Sequence, residues 1–335
     1  MGMRNMAFSL WRSAAALLIA GSLHGTQAVM AQTPVTVVTF AGATNLPLWI
    51  ALDRGLFAKE GLSVTHEVTR GSTAVIEGAM SGKYQFASMA FDNTIANAEG
   101  VGDVNSPGYD LVGIAGVHSG MNKIVTSPDV KSFADLRGKV VASDALNSGY
   151  GLVLLRILQM NGLILDRDYK ALAVGSGPSR LAAMREGRAS AAALSSPDDI
   201  EAKKLGFNIL ADATELIGAY QGSAFVVRSS WAKEHEKEVV GFLRAMIAAT
   251  DIAFADRDSA IAVLSNRIKS LSAEDAASIY ASLVSGKGGL NRGAAINMDG
   301  VKTLLELRNQ LGDGKMLLND PMKYVDLSYY EKARR

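Results

Sequence analysis

Residues 35–69 read VTVVTFAGATNLPLWIALDRGLFAKEGLSVTHEVT, and the way this stretch folds sets the class of the whole chain. VTVVTF (35–40) is a short β-branched run of the kind that forms a strand. The residues from Asn45 to Arg54 have a helical pattern, which Gly55 can close in the left-handed conformation. LSVTHEVT (62–69) then alternates Leu62, Val64, His66 and Val68 with polar neighbours, as a second strand does. Strand, helix and strand in succession imply a parallel pair with its crossover helix on one face.

The same order recurs on either side of this stretch. GSTAVIEGAMSG opens a helix at Ser72, QFASMA (85–90) is a strand, and FDNTIA (91–96) is expected to turn. Further on come KVVAS, a helix after Ser148, KALAV, the helix of SRLAAMREG, SAAAL and the helix of SPDDIEAKKLG. The fold class is therefore α/β, with parallel-rich sheets flanked by helices. AMSGKYQFASMA (79–90) and AMREGRASAAAL (183–194) share the order helix end, glycine, cation, buried strand, which suggests two similarly built halves. DLVGIAGVHSGMNKIVTS (110–127) and YQGSAFVVRSS (220–230) are β-like without an internal helix, so they suit two crossings between the halves. After Ser230 the pattern is mostly helical, with Ser272 and Asp275 in capping-box spacing.

The first residues place Arg4 and Arg12 before an apolar run from Ala14 to Leu23, followed by Val29 and Ala31 in cleavage-site spacing. That is the pattern of a secretory signal peptide over residues 1–31, and export to a bacterial periplasm is expected. The sequence has 0 cysteines, so neither a disulfide nor lipid attachment through cysteine is available to it. The remaining roughly 300 residues suffice for two domains of ordinary size. With 34 basic and 33 acidic residues, the chain has no charge excess of the kind that attracts nucleic acid or an anionic membrane.

Catalytic patterns are sparse. No G-x-S-x-G elbow occurs, and GSGPSR (175–180) lacks the third glycine of a dinucleotide fingerprint. Ser230 and Lys233 have S-x-x-K spacing without its partner motifs, and Ser230 also suits a helix cap. His66, His118 and His235 are far apart in sequence, which disfavours a metal or haem site. No cofactor is expected, and the chain is read as a non-enzyme.

Taken in order, TNLPLWIALDRGLFAKEGLSVTHEV (44–68), FADLRGKVVASDALNSGYGLVLLRILQMNGL (133–163), SRLAAMREGRASAAALSSPDDIEAKKLGF (179–207), YQGSAFVVRSSWAKEHEKEVVGFLRA (220–245) and VDLSYYEKA (325–333) resemble one family. It is that of the periplasmic substrate-binding proteins of ABC importers in the sulfonate, nitrate and thiamine-precursor group. The chain departs from it at Gln85 and Ser190, where the family often carries an acid. The resemblance implies a two-lobed, type II periplasmic-binding clamshell holding a small organic ligand between its lobes. It further implies an inner-membrane ABC permease as partner, with a periplasmic sensor as the alternative role; a monomer is expected. Lobe I would comprise residues 32–119 and 222–335, and lobe II residues 120–221. A pyrimidine synthase shares this fold and family, but it depends on a cysteine-rich metal motif that this chain lacks.

In open α/β sheets ligands sit beyond the carboxyl ends of the strands, where helix N-termini also point. By that rule the ligand-binding candidates of lobe I are Phe40, Thr44, Asn45, Gly71, Ser72, Phe91, Asp92, Asn93 and His118, with Arg70 alongside. Those of lobe II are Asp144, Asn147, Ser148, Gly149, Tyr150, Ser176, Ser195 and Ser196, with Gln221 at the return crossing. Each has an ordinary alternative: Asn45, Ser72, Asp92, Ser148 and Ser196 as helix caps, Phe40, Phe91 and Tyr150 as core, His118 as a structural histidine. Since aromatic candidates outnumber cationic ones, a small neutral or amphipathic organic ligand is expected.

Overall fold

The computed structural model describes residues 31–102, 104, 107–120, 122–311 and 317–335; the signal-peptide reading of residues 1–31 falls almost wholly outside them. The opening stretch folds as β1 (Thr33–Phe40), α1 (Leu46–Asp53), the short α2 (Leu56–Lys59) and β2 (Leu62–Thr69). Asn45 ties strand to helix, its Nδ2 donating to the Phe40 carbonyl at 2.7 Å. Gly55 takes φ 62° between α1 and α2, the left-handed turn that its lack of a side chain allows. β1 and β2 pair in parallel from Thr33 opposite Leu62 to Phe40 opposite Thr69.

Next come α3 (Ser72–Met80), β3 (Phe86–Ala90), α4 (Phe91–Ala98) and β4 (Leu111–His118). The chain then crosses to β5 (Lys123–Thr126), β6 (Val140–Ser143), α5 (Gly149–Met160), β7 (Lys170–Ala173), α6 (Gly177–Arg185), β8 (Ala191–Leu194), α7 (Asp198–Lys204), β9 (Asn208–Asp212) and α8 (Ala213–Ile217). It returns as β10 (Ser223–Arg228) and finishes with α9 (Ser229–Glu234), α10 (Glu236–Ala255), α11 (Arg257–Arg267), α12 (Ala273–Leu283), α13 (Met298–Leu311) and α14 (Ser328–Ala333).

Two five-stranded sheets result, ordered β2-β1-β3-β10-β4 and β7-β6-β8-β5-β9. The two orders have the same form. β1 and β6 each pair in parallel with both neighbours, while β10 and β5 lie antiparallel between two strands. Each crossing thus delivers one strand that arrives from the other sheet and runs against its new neighbours. The sheets are accordingly mixed rather than purely parallel. The sequence echo has a structural counterpart, since β3 and β8 take equivalent places beside β1 and β6.

Two local expectations are corrected. FDNTIA is the body of α4, not a turn: Phe91 to Asn97 are all buried, and packing rather than a capping residue holds the helix. Ser230 lies inside α9 rather than capping it, and its hydroxyl donates to Asp110 at 2.5 Å.

The apolar core has three parts. Between α1, α10 and the first sheet, Phe242 stacks on Phe86 at 3.9 Å between ring centres and on Phe57 at 5.5 Å. A second cluster runs from Val38 of the first sheet and Phe91 of α4 to Val141 of the second sheet and Leu154 of α5, with Val301 and Leu304 of α13 completing it. A smaller one lies beneath α6, around Leu181 and Met184. Among the described residues no helix is long and apolar enough to cross a membrane.

Candidate functional site

The carboxyl ends of β1 and β3 in one sheet and of β6 and β8 in the other face a common cleft of about 140 Å³. Half of the anticipated residues line it: Phe40, Thr44, Ser72 and His118 from the side of the first sheet, and Asp144, Tyr150, Ser176, Ser195 and Ser196 from the side of the second. Hydrogen bonds join the two sides around it. The Ser72 hydroxyl donates to Asp144 at 2.5 Å, Ala43 N to the Ser196 carbonyl at 3.1 Å, and Ser176 N to the Arg70 carbonyl at 3.2 Å.

The other nine anticipated residues lie outside the cleft wall, and their partners explain why. Asn45 is the strand-to-helix tie already described, and Gly71 is the extended residue ahead of α3. Phe91 is fully buried in the core. Asp92 turns away from the cleft to meet Arg308 of α13, in a two-pronged ion pair of 2.6 and 2.5 Å with side chains 2% and 8% exposed. Arg308 also reaches the Asn147 carbonyl at 3.2 Å. Asn93 donates to Ser72 at 3.1 Å and accepts from Gly149 N at 2.9 Å. Gly149 has no room for a side chain, since a Cβ there would stand 2.8 Å from that of Asp92. Ser148 caps α5, accepting from Gly151 N at 3.2 Å. Gln221 is fully buried at the return crossing, donating to the Ser223 carbonyl at 2.8 Å and accepting from Asn297 N at 2.6 Å. Arg70 is exposed.

His118 stands at the crossing end of β4. Its Nδ1 lies 3.0 Å from the Gly120 carbonyl, which can only accept, so Nδ1 carries the proton and Nε2 is left as an acceptor facing the Tyr150 hydroxyl at 3.4 Å. Burial pulls its pKa down to about 4, so the ring is neutral at ordinary pH. Burial also pushes Tyr150 up to about 12, and its hydroxyl lies 3.3 Å from that of Ser223. The pair supplies polar edges to the cleft without charge.

The cleft residues not singled out from the sequence include the donors Asn122, Lys123, Arg180 and Lys287 and the acids Asp199 and Asp212. Arg180 is only 6% exposed, and its Nε and Nη1 donate to the Ala193 and Gly175 carbonyls at 2.9 and 2.8 Å. A cation on the buried side of SRLAAMREG, beside Leu181 and Met184, was the signal that could have found it. Lys287 comes from the loop after α12, which nothing in the strand pattern connects with the cleft. Gln85, one of the two departures from the family pattern, accepts from Thr36 N at 2.8 Å and donates to the Gly82 carbonyl at 3.0 Å, which makes it a tie between strands. Among the described residues no cluster of histidine and acidic side chains is placed to hold a metal.

The sequence model of the NMT1-like family matches residues 11–268. Among solved structures, the nitrate-binding protein NrtA from Synechocystis PCC 6803 superposes with a TM-score of 0.75 at 14% identity, covering 90% of this chain and 88% of that one. The ligand-binding component of an ABC-type import system from Staphylococcus aureus, with zinc bound, gives 0.74 at 14% identity over 90% and 99% of the two chains. The alkanesulfonate-binding protein SsuA from Xanthomonas axonopodis pv. citri, bound to MOPS, gives 0.69 at 18% identity over 86% and 95%. At these identities the likeness is one of fold, that of periplasmic binding proteins. A 4-amino-5-hydroxymethyl-2-methylpyrimidine phosphate synthase of Uromyces fabae is 24% identical over 233 residues, a match spanning 63% of this chain and 64% of that protein.

Proposed function

This chain belongs to the NMT1-like family, and from that premise we propose that it is a periplasmic solute-binding protein. It captures a small organic ligand in the interlobe cleft and delivers it to an inner-membrane ABC permease. The observation that carries this reading is the cleft: polar side chains from the strand ends of both sheets converge on one space, where ligands of open α/β sheets sit. Structural neighbours that are ABC import and anion-binding proteins support it. The two lobes are residues 32–119 with 222–335, and 120–221, and they hinge where the chain crosses between β4 and β5 and again before β10. Closure is a population shift toward contacts made only when the lobes meet, and the closed shape is what the permease recognises. The protein acts as a monomer, without a cofactor, after removal of a leader ending near Ala31.

The experiment is to purify the exported chain, release its contents by denaturation and identify them by mass spectrometry. The identified compound is then offered to membrane vesicles carrying an ABC permease from the same cells. One stoichiometric small molecule and ATP-driven uptake that needs the protein are the expected results. Binding of the liganded form to a receptor ectodomain, without uptake, would favour the sensor role. A chain that releases nothing and supports no uptake would refute the reading.

A further inference from the structure

Unmet hydrogen-bonding capacity in the cleft includes one buried donor with no partner at all, Asn122 Nδ2. The three acidic side chains of the cleft already have protein donors: Asp144 accepts from the Ser72 hydroxyl at 2.5 Å, Asp199 from Ile200 N at 2.9 Å and Asp212 from Thr214 N at 2.9 Å. Arg180, Lys123 and Lys287 make no ion pair among the described residues. Arg180 is the sharpest case. Burial lowers its pKa, Asp144 and Asp198 act on it only from beyond ion-pair range, and its two hydrogen bonds go to neutral carbonyls. A guanidinium has five N–H donors, so Nη2 and one Nη1 hydrogen remain for a ligand. A desolvated cation with that much unmet capacity favours an anion, and its planar fork matches two coplanar oxygens.

We propose that the ligand is a small carboxylate, its two oxygens held by Arg180 with Asn122 Nδ2 as a further donor and its apolar part against Phe40, Leu194 and Leu283. This deepens the solute-binding reading and rests on it. The cleft of about 140 Å³ has room for roughly one six-membered ring or a short chain, since a cavity of about 150 Å³ takes benzene. It also replaces the neutral ligand expected from the aromatic count, because the cations that decide the matter are not at the strand ends where that count was made.

The test is calorimetric titration of refolded, ligand-free protein with benzoate, short aliphatic carboxylates, the matching sulfonates, nitrate and an aminopyrimidine. The proposal expects a carboxylate to bind one to one and more tightly than its sulfonate analogue. Arg180→Met should weaken it by about tenfold or more, the loss typical of a charge-assisted hydrogen bond. Because Arg180 also holds two carbonyls, Asn122→Asp supplies a nearly isosteric second variant; it removes the free donor, adds a repelling charge and should weaken binding as much. Preference for a sulfonate, nitrate or the pyrimidine, or carboxylate binding indifferent to Asn122→Asp, overturns the carboxylate assignment alone. Failure of every compound to bind a folded protein overturns the solute-binding reading with it.

Discussion

At the scale of single residues, Asp92 and Arg308 make the strongest prediction. Their ion pair is buried and joins positions 216 residues apart. Removing one partner strands the other charge out of water, so Arg308→Met should cost about 3–5 kcal/mol by denaturant unfolding, and adding Asp92→Leu should recover much of it. An Arg308→Met protein as stable as the parent would show that the pair does not exist in solution. His118 carries the second prediction. Its pKa falls to about 4 when folded against 6.5 when unfolded. Between those values the unfolded chain holds a proton that the folded chain refuses, so this group makes stability rise with pH. Its contribution is complete above the unfolded pKa and is lost as pH falls through the folded one. Asp198, pushed up to about 6 by burial, acts in the opposite sense. His118→Gln should therefore make the slope of unfolding free energy between about pH 4.5 and 6.5 less positive, and an unchanged slope would count against a buried neutral ring. None of this was legible one residue at a time: the position of Asp92 after a strand suggested the cleft, and its arginine lies in another part of the chain.

Among elements, α5 separates two roles that its sequence runs together. Ser148 caps the helix while Tyr150, two residues on, reaches the cleft. Ser148→Ala should lower stability by about 1 kcal/mol and leave ligand affinity unchanged, whereas a large loss of affinity would return Ser148 to the binding surface. α13 lies against the return crossing so closely that a Cβ on Gly300 would fall 2.2 Å from the Tyr220 carbonyl carbon. Gly300→Ala should thus lose about 1–3 kcal/mol in thermal or denaturant unfolding, and a neutral result would mean that the helix does not sit on the crossing. Elements whose own residues hold their signals were readable: β1, α1 and β2 follow from a β-branched run, the helical pattern from Asn45 to Arg54, Gly55 and the alternation of 62–69. α4 was not, because FDNTIA has asparagine, threonine and aspartate where an isolated helix would want alanine or leucine; the surrounding sheet and α5 supply what local propensity lacks.

At the scale of the molecule, two similarly built α/β halves and the two crossings were legible because strand–helix alternation and the helix-to-strand echo are properties of sequence order, whereas the order of strands within each sheet was not read. What surrounds the cleft was harder to read. Strand-end reasoning finds Phe40, Ser72 and Asp144, but not Asn122 at a crossing, Arg180 inside a helix or Lys287 in a late loop. These arrive by closure of the whole shell, which no local pattern encodes. That same closure is the basis of the functional reading, and one measurement tests it most directly: the thermal midpoint of protein unfolded and refolded to strip it, then mixed with carboxylates, sulfonates, nitrate and aminopyrimidines. A ligand at about 100 times its dissociation constant adds about 2.7 kcal/mol, enough to raise the midpoint by several degrees. The account predicts such a rise for one chemical class, cut to about half by a tenfold weakening in Asn122→Asp; a cooperatively folded protein whose midpoint no compound moves would contradict it.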